Sequence, residues 1–300
     1  MPRLIYIAAP SFSGSTLLTL LLNSHPEITT LGELKWGSID LDHYRCSCGS
    51  LLRQCKFWEA IRTRVERQGF QFDLRHPPTD FRFPDHPFAD RIARARNRGP
   101  IFEGLRQTAL VATPICRERW PSIAALNLAV IEAALELRNA TAFVDGSKDP
   151  TRLTHLIATG HYDVFMIHLI RDGRGVVRSA VKNKGQAAEG AARDWVRTHR
   201  QIERIASDLG PSRALTLHYE SLCKSLQAQM ARIQEFLRLK APFDLDHLTE
   251  CEHHILGNAM RLTFDGRVAL DESWRQLSQE RDLQQFNRCA AAMSRRYGYE

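Results

Sequence analysis

Two stretches of this sequence place anion-binding chemistry where a strand gives way to a helix. In the first, Ser11-Phe12-Ser13-Gly14-Ser15-Thr16 follows the apolar run Leu4 to Ala9 and precedes the apolar helix Leu17 to Leu22. A loop of small residues at such a junction offers several backbone N–H groups and the positive end of a helix dipole to one anion. Gly14 admits close backbone approach, and Ser13, Ser15 and Thr16 add hydroxyl donors. The same residues would also serve as a plain tight turn with an N-capping serine. The second stretch, Leu169-Ile170-Arg171-Asp172-Gly173-Arg174-Gly175-Val176-Val177-Arg178-Ser179, repeats the strand-to-helix pattern. Arg171 brings a planar fork suited to a phosphate, and Ser179, further along the helix, reaches it only if that helix lies across the phosphate. Ligands of a doubly wound sheet collect beyond the carboxyl ends of its strands, so both loops would open onto one crevice. A nucleotide with phosphates at both ends of its ribose needs two such sites.

The elements that must hold these loops follow from apolar spacing. Buried-strand runs at 4–9, 28–31, 141–144, 164–170 and 214–218 alternate with helical spacing at 57–68, 121–138, 150–158, 174–183, 188–208, 221–238 and 279–296. That alternation predicts an α/β chain with a P-loop-like, three-layer fold, its central parallel sheet flanked by helices. Residues 1–300 read as a single domain with an irregular insertion at about 70–100, where Pro77, Pro78, Pro84, Pro87 and Pro100 punctuate a Phe-rich segment. Phe70, Phe72, Phe81, Phe83 and Phe88 are too apolar for a solvated linker.

With 43% hydrophobic and 25% charged residues, the composition is that of a globular protein. Lys and Arg number 41 against 34 acids, and the resulting formal charge of +7 suits an anionic partner. No run of like charges resembles a nucleic-acid arm, so no nucleic-acid partner is expected. The N-terminal apolar run is too short for a signal segment, and no uninterrupted apolar stretch is long enough for a membrane span. Seven cysteines without a secretory signal point to a reducing compartment, the cytoplasm.

The motifs taken in order, SFSGSTLL with NSHPEITTLGEL, GSKDP at 146–150, LIRDGRGVVRS at 169–179, LHYESL at 217–222 and GNAMR at 257–261, resemble the sulfotransferase superfamily, especially its bacterial and tyrosylprotein-sulfotransferase-like branches. The resemblance covers most of the chain. It implies transfer of a sulfuryl group from 3′-phosphoadenosine 5′-phosphosulfate (PAPS) to an acceptor hydroxyl on a small molecule, glycan, peptide or lipid, leaving 3′-phosphoadenosine 5′-phosphate (PAP). Ser13 to Thr16 would hold the 5′-phosphosulfate, Arg171 and Ser179 the 3′-phosphate, and Tyr219 would line the nucleotide pocket. Arg261 would help close over it. Glu33 matches the general base and Lys148 a lysine at the bridging or leaving oxygen.

Physical chemistry supports these roles. Sulfuryl transfer resembles in-line phosphoryl transfer, so positioning and charge neutralisation do most of the work. A carboxylate such as Glu33 takes the proton of the attacking hydroxyl, and the Lys148 ammonium neutralises the departing phosphate. With the leaving group already activated and cations supplied by side chains, no metal is expected in the reaction. Phe12 departs from the pattern, because many relatives carry a cation there. Lys148, with Lys35 or Arg3, is expected to carry the missing charge; otherwise the donor is held more weakly or turnover is lost. The last case leaves a catalytically silent PAP- or PAPS-binding protein as an alternative. A P-loop kinase is disfavoured, because the loop has serine where a Walker lysine would stand.

His43, Cys46, Cys48 and Cys55 supply enough ligands for a tetrahedral metal, although C-x-C is tighter than the usual C-x2-C. A disulfide and free structural thiols are equally compatible with the spacing. His253 and His254 lack partners at metal-ligand spacing and read as structural residues or as lining of the late loop.

Overall fold

A computed structural model describes residues 1–35, 38–96, 98–251, 253–277 and 279–300. The elements that run into the first half are β1 (Arg3–Ala8), α1 (Ser15–Leu22), β2 (Ile28–Thr30), α2 (Lys56–Arg67), α3 (Pro87–Ala93), α4 (Pro100–Ala112) and α5 (Pro114–Arg138). The second half holds β3 (Ala142–Lys148), α6 (Pro150–Thr159), β4 (Asp163–Ile170), α7 (Gly173–Lys184), α8 (Ala188–Leu209), β5 (Ala214–His218), α9 (Tyr219–Lys224), α10 (Leu226–Leu237), α11 (Trp274–Leu277) and α12 (Glu280–Arg296).

The five strands form one parallel sheet in the order β2-β3-β1-β4-β5. β1 is central because it is apolar on both faces, as a strand covered on both sides must be. Leu4, Tyr6 and Ala8 point into a core shared with α2, α5 and α6, whereas Ile5 and Ile7 point into a second core with α1 and α10. The alternation of one strand thus accounts for three layers. A further cluster around Trp195 and Phe286 joins α7, α8 and α12.

Four departures from the spacing have physical reasons. β3 continues past Val144 through Asp145 to Lys148, since the buried Asp145 finds a partner in Arg152. The predicted helix at 121–138 begins a further two turns upstream, at Pro114, and Pro121 sits inside it. α5 is long and apolar enough to cross a membrane by length and composition. Leu126, Val130, Ile131 and Ala134 nevertheless pack in the core beneath the sheet. The run at 221–238 breaks at Ser225 into α9 and α10. Within the insertion, Phe72, Phe81 and Phe83 are buried as expected, α3 forms, and Phe88 alone of its five phenylalanines is largely exposed, at 71%.

Candidate active site

Because all five strands run the same way, their carboxyl ends share one edge of the sheet, and the loop after β1 lies between the ends of β3 and β4. The Ala9 N–H donates to the Lys148 carbonyl at 3.3 Å, fastening loop to strand end. Phe12 and Gly14 both adopt left-handed backbone, at φ 68° and 87°. Glycine suits the second position doubly, since a Cβ there would stand 2.5 Å from the Tyr219 ring. For Phe12 the conformation is strained, of the kind that costs about 1–3 kcal/mol and collects at functional sites. Ser13 is fully buried, and its Oγ has no hydrogen-bond partner among the described residues. Ser15 and Thr16 head α1, so their backbone N–H groups lie at its positive end. An unpartnered hydroxyl, a backbone cradle that a side chain would fill and a helix N-terminus suit the binding of an anionic group.

Arg171 reaches this loop from the end of β4. Its Nη1 donates to the Phe12 carbonyl at 2.9 Å, while Nη2 donates to the Asp271 carbonyl at 2.9 Å and to Asp271 Oδ2 at 2.8 Å. The guanidinium lies 4.6 Å from the centre of the Tyr219 ring. Burial would raise the Asp271 carboxyl, but hydrogen bonds from Ser273 and Arg171 hold it at about 2. Tyr219 donates its hydroxyl to the Ala269 carbonyl at 3.3 Å, and burial pushes its pKa up to about 12. Arg171 and the loop therefore meet at one edge of the sheet, as their places at two strand ends predict; Tyr219, expected there from the family resemblance, joins them, and Asp271 is a fourth member that no motif marks. Ser179 is half-buried on α7, and its carbonyl accepts from Asn183 Nδ2 at 2.8 Å.

Glu33 and Lys148 form an ion pair across the ends of β2 and β3. Both line a cavity of about 600 Å³ with Ser11, Phe12, Lys35 and Asn258. Lys148 also has left-handed backbone, φ 71°. The turn that carries Glu33 is tied to β3 by Ser147, whose Oγ accepts from the Leu34 and Lys35 N–H groups at 2.8 and 3.0 Å. From the other side the Leu256 backbone pairs with it: Leu256 N–H to the Leu31 carbonyl at 2.9 Å, and Glu33 N–H to the Leu256 carbonyl at 3.3 Å. Asp80 and Arg82 of the insertion complete a wall of the cavity, and burial raises the Asp80 carboxyl above its usual range.

The cations expected near Phe12 are sorted by the geometry. Arg3 lies at the start of β1, the opposite end of the strand, where it donates to the Leu237 carbonyl at 2.9 Å and covers the Phe165 ring; it cannot serve the loop. Lys35 is paired with Asp149 at the cavity wall. Lys184, at the end of α7, stands 5.2 Å over the Phe12 ring and 3.5 Å from Ser11 Oγ. From sequence it reads as an ordinary cation in the last turn of a helix, and only the packing of α7 against the loop reveals it. Arg261 spends its guanidinium on the carbonyls of Gly257, Asn258 and Arg45 at 2.6, 3.1 and 2.8 Å and lies 4.4 Å from the Tyr44 ring centre. It fastens its own loop. His43 does not join the cysteines: it is exposed and bonded to Asp40 at 2.8 Å.

A buried polar network supports the site from below. Arg152, on α6, donates to Asp145 Oδ2 at 3.0 Å, the Thr79 carbonyl at 2.6 Å and Asn127 Oδ1 at 2.7 Å. Asp145 in turn accepts the Ser147 N–H at 2.9 Å, and Thr79 Oγ1 donates to the Leu34 carbonyl at 2.6 Å. An acid inside the apolar strand Ala142 to Val144 and beyond was the available sign, since a buried charge demands a partner.

The fold and these motifs have known counterparts. The model of the sulfotransferase family matches residues 5–244. No curated protein sequence matches the chain. Among solved structures, the sulfotransferase domain of the Synechococcus PCC 7002 olefin synthase is similar at a TM-score of 0.52 and 18% identity, covering 100% of this chain and 95% of that one. The sulfotransferase domain from the curacin biosynthetic pathway is similar at 0.52 and 18%, with 100% and 99% covered. Sulfotransferase STF9 from Mycobacterium avium is similar at 0.50 and 12%, with 100% and 78% covered. At these identities the structures speak for the fold, and the match over 5–244 speaks for descent: the chain belongs to the sulfotransferase family.

Proposed function

We propose that this sulfotransferase takes the sulfuryl group from PAPS and passes it to an acceptor hydroxyl at the cavity beside Glu33. The observation that carries this reading is the Glu33–Lys148 ion pair facing the Ser11–Phe12 loop across one cavity. The backbone and hydroxyls of Ser13 to Thr16 would bind the 5′-phosphosulfate, and Arg171, Ser179 and Tyr219 the 3′-phosphoadenosine part. A 3′-phosphate approaching Arg171 must displace the Asp271 carboxylate, which holds the same guanidinium nitrogen. Lys184 would supply the cation that position 12 lacks.

In the transfer itself, the Lys148 ammonium turns from Glu33 to the leaving phosphate oxygen, where charge grows as the S–O bond breaks. Glu33, released, accepts the acceptor's proton as the new O–S bond forms. Asp80 and Arg82, on the cavity wall, are then in position to select the acceptor. The free cysteines suit a reducing compartment such as the cytoplasm.

Incubation with radiolabelled PAPS and a panel of phenolic, carbohydrate, peptide and lipid acceptors tests the reading. Labelled product is expected, with Glu33→Gln reducing turnover by about 100-fold or more while leaving PAP affinity within a few-fold. PAP binding with no transfer to any acceptor would instead favour the silent binding protein that Phe12 permits. Turnover lost in EDTA and restored by magnesium would contradict a step driven by side-chain cations alone.

A further inference from the structure

The described residues between 31 and 55 contain little regular structure: an isolated bridge at Gly32, another between Arg45 and Leu51, and the 3-10 turn Leu52–Gln54. Such a segment lacks the backbone ladders that make a wall rigid, and small irregular units commonly need a cross-link. Four ligand-bearing side chains converge at its centre. Cys46, Cys48 and Cys55 meet His254, which arrives from far along the chain, and their ligand atoms all lie within 4.8 Å of one another. Cys46, Cys55 and His254 are buried.

The separations match the edges of a metal-centred tetrahedron. Bonds of about 2.3 Å from zinc to sulfur and about 2.0 Å to nitrogen give edges of about 3.8 Å between sulfurs and about 3.5 Å between sulfur and nitrogen. Here Cys48 Sγ and Cys55 Sγ are 3.7 Å apart, Cys46 Sγ and His254 Nδ1 3.7 Å, and Cys55 Sγ and His254 Nδ1 3.3 Å. A disulfide would need sulfurs about 2.05 Å apart, and all seven cysteines are free.

The surroundings hold each ligand in place. A turn closed by Gly49 N–H to the Cys46 carbonyl at 2.9 Å and Cys46 N–H to the Ser50 carbonyl at 3.0 Å lets the tight C-x-C pair point to one centre. Cys55 stands at the N-cap of α2, where the helix dipole favours a thiolate. The His254 ring stacks on Phe57 with centroids 4.4 Å apart, and its carbonyl accepts from Trp58 Nε1 at 3.1 Å. Ile255 N–H donates to Ser47 Oγ at 2.8 Å.

We propose that Cys46, Cys48, Cys55 and His254 bind one Zn²⁺ as a closed structural site that braces the wall behind Glu33. Binding converts three thiols to thiolates with release of three protons, and a neutral imidazole completes the set. With four protein ligands no position is open for substrate, which separates this ion from any part in the transfer. Its mechanical reach is short. Leu256 pairs with the Glu33 turn, and a Cβ on Gly257 would stand 2.8 Å from Glu33 Oε1. Tyr44 links the two sides, its hydroxyl accepting from Gly257 N–H at 2.9 Å. The four ligands are positioning residues, acting through this backbone.

The site is tested on the full chain purified without a metal-chelating tag. Metal analysis is expected to give about one zinc per chain, retained in His43→Ala and Cys223→Ser and lost in Cys55→Ser and His254→Ala. Should those last variants fail to fold, the unaltered chain stripped by a chelator under reducing conditions decides the matter. It is expected to lose thermal stability, regain it with zinc, and with cobalt to show the visible absorption of a tetrahedral, thiolate-rich centre. A reduced chain that holds no zinc and takes up neither metal overturns the site, as does zinc that persists in both Cys55→Ser and His254→Ala. Loss of zinc from His43→Ala overturns the ligand set. These readouts need no sulfuryl transfer, so the site and the proposed reaction can fail separately.

Discussion

Replacing Lys184 with methionine removes the cation over Phe12 while keeping much of the aliphatic stem. Lys184 Nζ is 3.5 Å from Ser11 Oγ, so the phosphosulfate of the proposed reaction, bound by the next residues of the loop, would lie roughly 5 Å away. At that distance a unit pair is worth about 3 kcal/mol at an effective dielectric of 20 and about 0.8 kcal/mol in bulk water. The lysine is exposed, so the lower half of that range applies, about 1–1.4 kcal/mol, or a roughly 5- to 10-fold higher dissociation constant for PAPS. Titration calorimetry with PAPS in the absence of acceptor reads this directly. The loss should shrink in 1 M salt, where the screening length falls to about 3 Å. Phe12→Arg tests the converse. In the Lys184→Met background it should restore donor affinity, whereas alone it places a second cation beside Lys184 and removes a ring packed against the α7–α8–α12 cluster, so its gain should be smaller. Unchanged affinity in Lys184→Met at low salt would refute the assignment, as would a loss of equal size at high salt.

Two further outcomes concern the scaffold. Asp145→Ala strands the Arg152 guanidinium in a fully buried place, a change that costs about 3–5 kcal/mol in a urea titration; a loss under 1 kcal/mol would show that the network does not support the site. Burial holds His155 and His168 at about 3 and His199 well below its usual range, with His168 Nε2 and His199 Nδ1 sharing a hydrogen bond at 2.8 Å. The unfolded chain binds protons that the folded chain refuses, so this stability is complete above about pH 6.5 and is lost progressively as the pH falls toward 3. Stability should therefore fall steadily below pH 6.5, by on the order of 2 kcal/mol at pH 5 for each of His155 and His168, read as a falling melting temperature, and a flat profile from pH 7 to 5 would refute the buried neutral state.

The sheet was legible because its strands obey a local rule: a run apolar on both faces can only be interior. The Ser11–Thr16 loop, Lys148 and Arg171 were legible for a related reason, since parallel strands bring their carboxyl ends together whatever the helices between them do. What escaped was set by distant packing. Lys184 and Asp271 are ordinary charged residues in sequence, and their places depend on how α7 and the segment before α11 fold over the loop. His254 shows the same limit, as 199 positions separate it from Cys55, and local spacing instead put forward His43, whose near neighbour Asp40 claims it. The length of α5 was missed because Pro121 resembles a helix start, although a long apolar helix tolerates the loss of one backbone bond.

The Leu256 backbone laid beside Gly32 and Glu33 also bears on where this protein can be divided. The family match stops at residue 244, yet Leu256, Gly257, Asp271 and α12 all lie beyond it and all press on the elements at the carboxyl edge of the sheet. A fragment trimmed to the matched span would keep the Ser11–Thr16 loop, Glu33, Lys148 and Arg171 in its sequence while leaving the Glu33 turn without a neighbour on one side and Phe12 without part of the cluster it packs on. Grafting or swapping at that border would transplant the recognisable signatures and leave their mould behind, so the segment after 244 must travel with them.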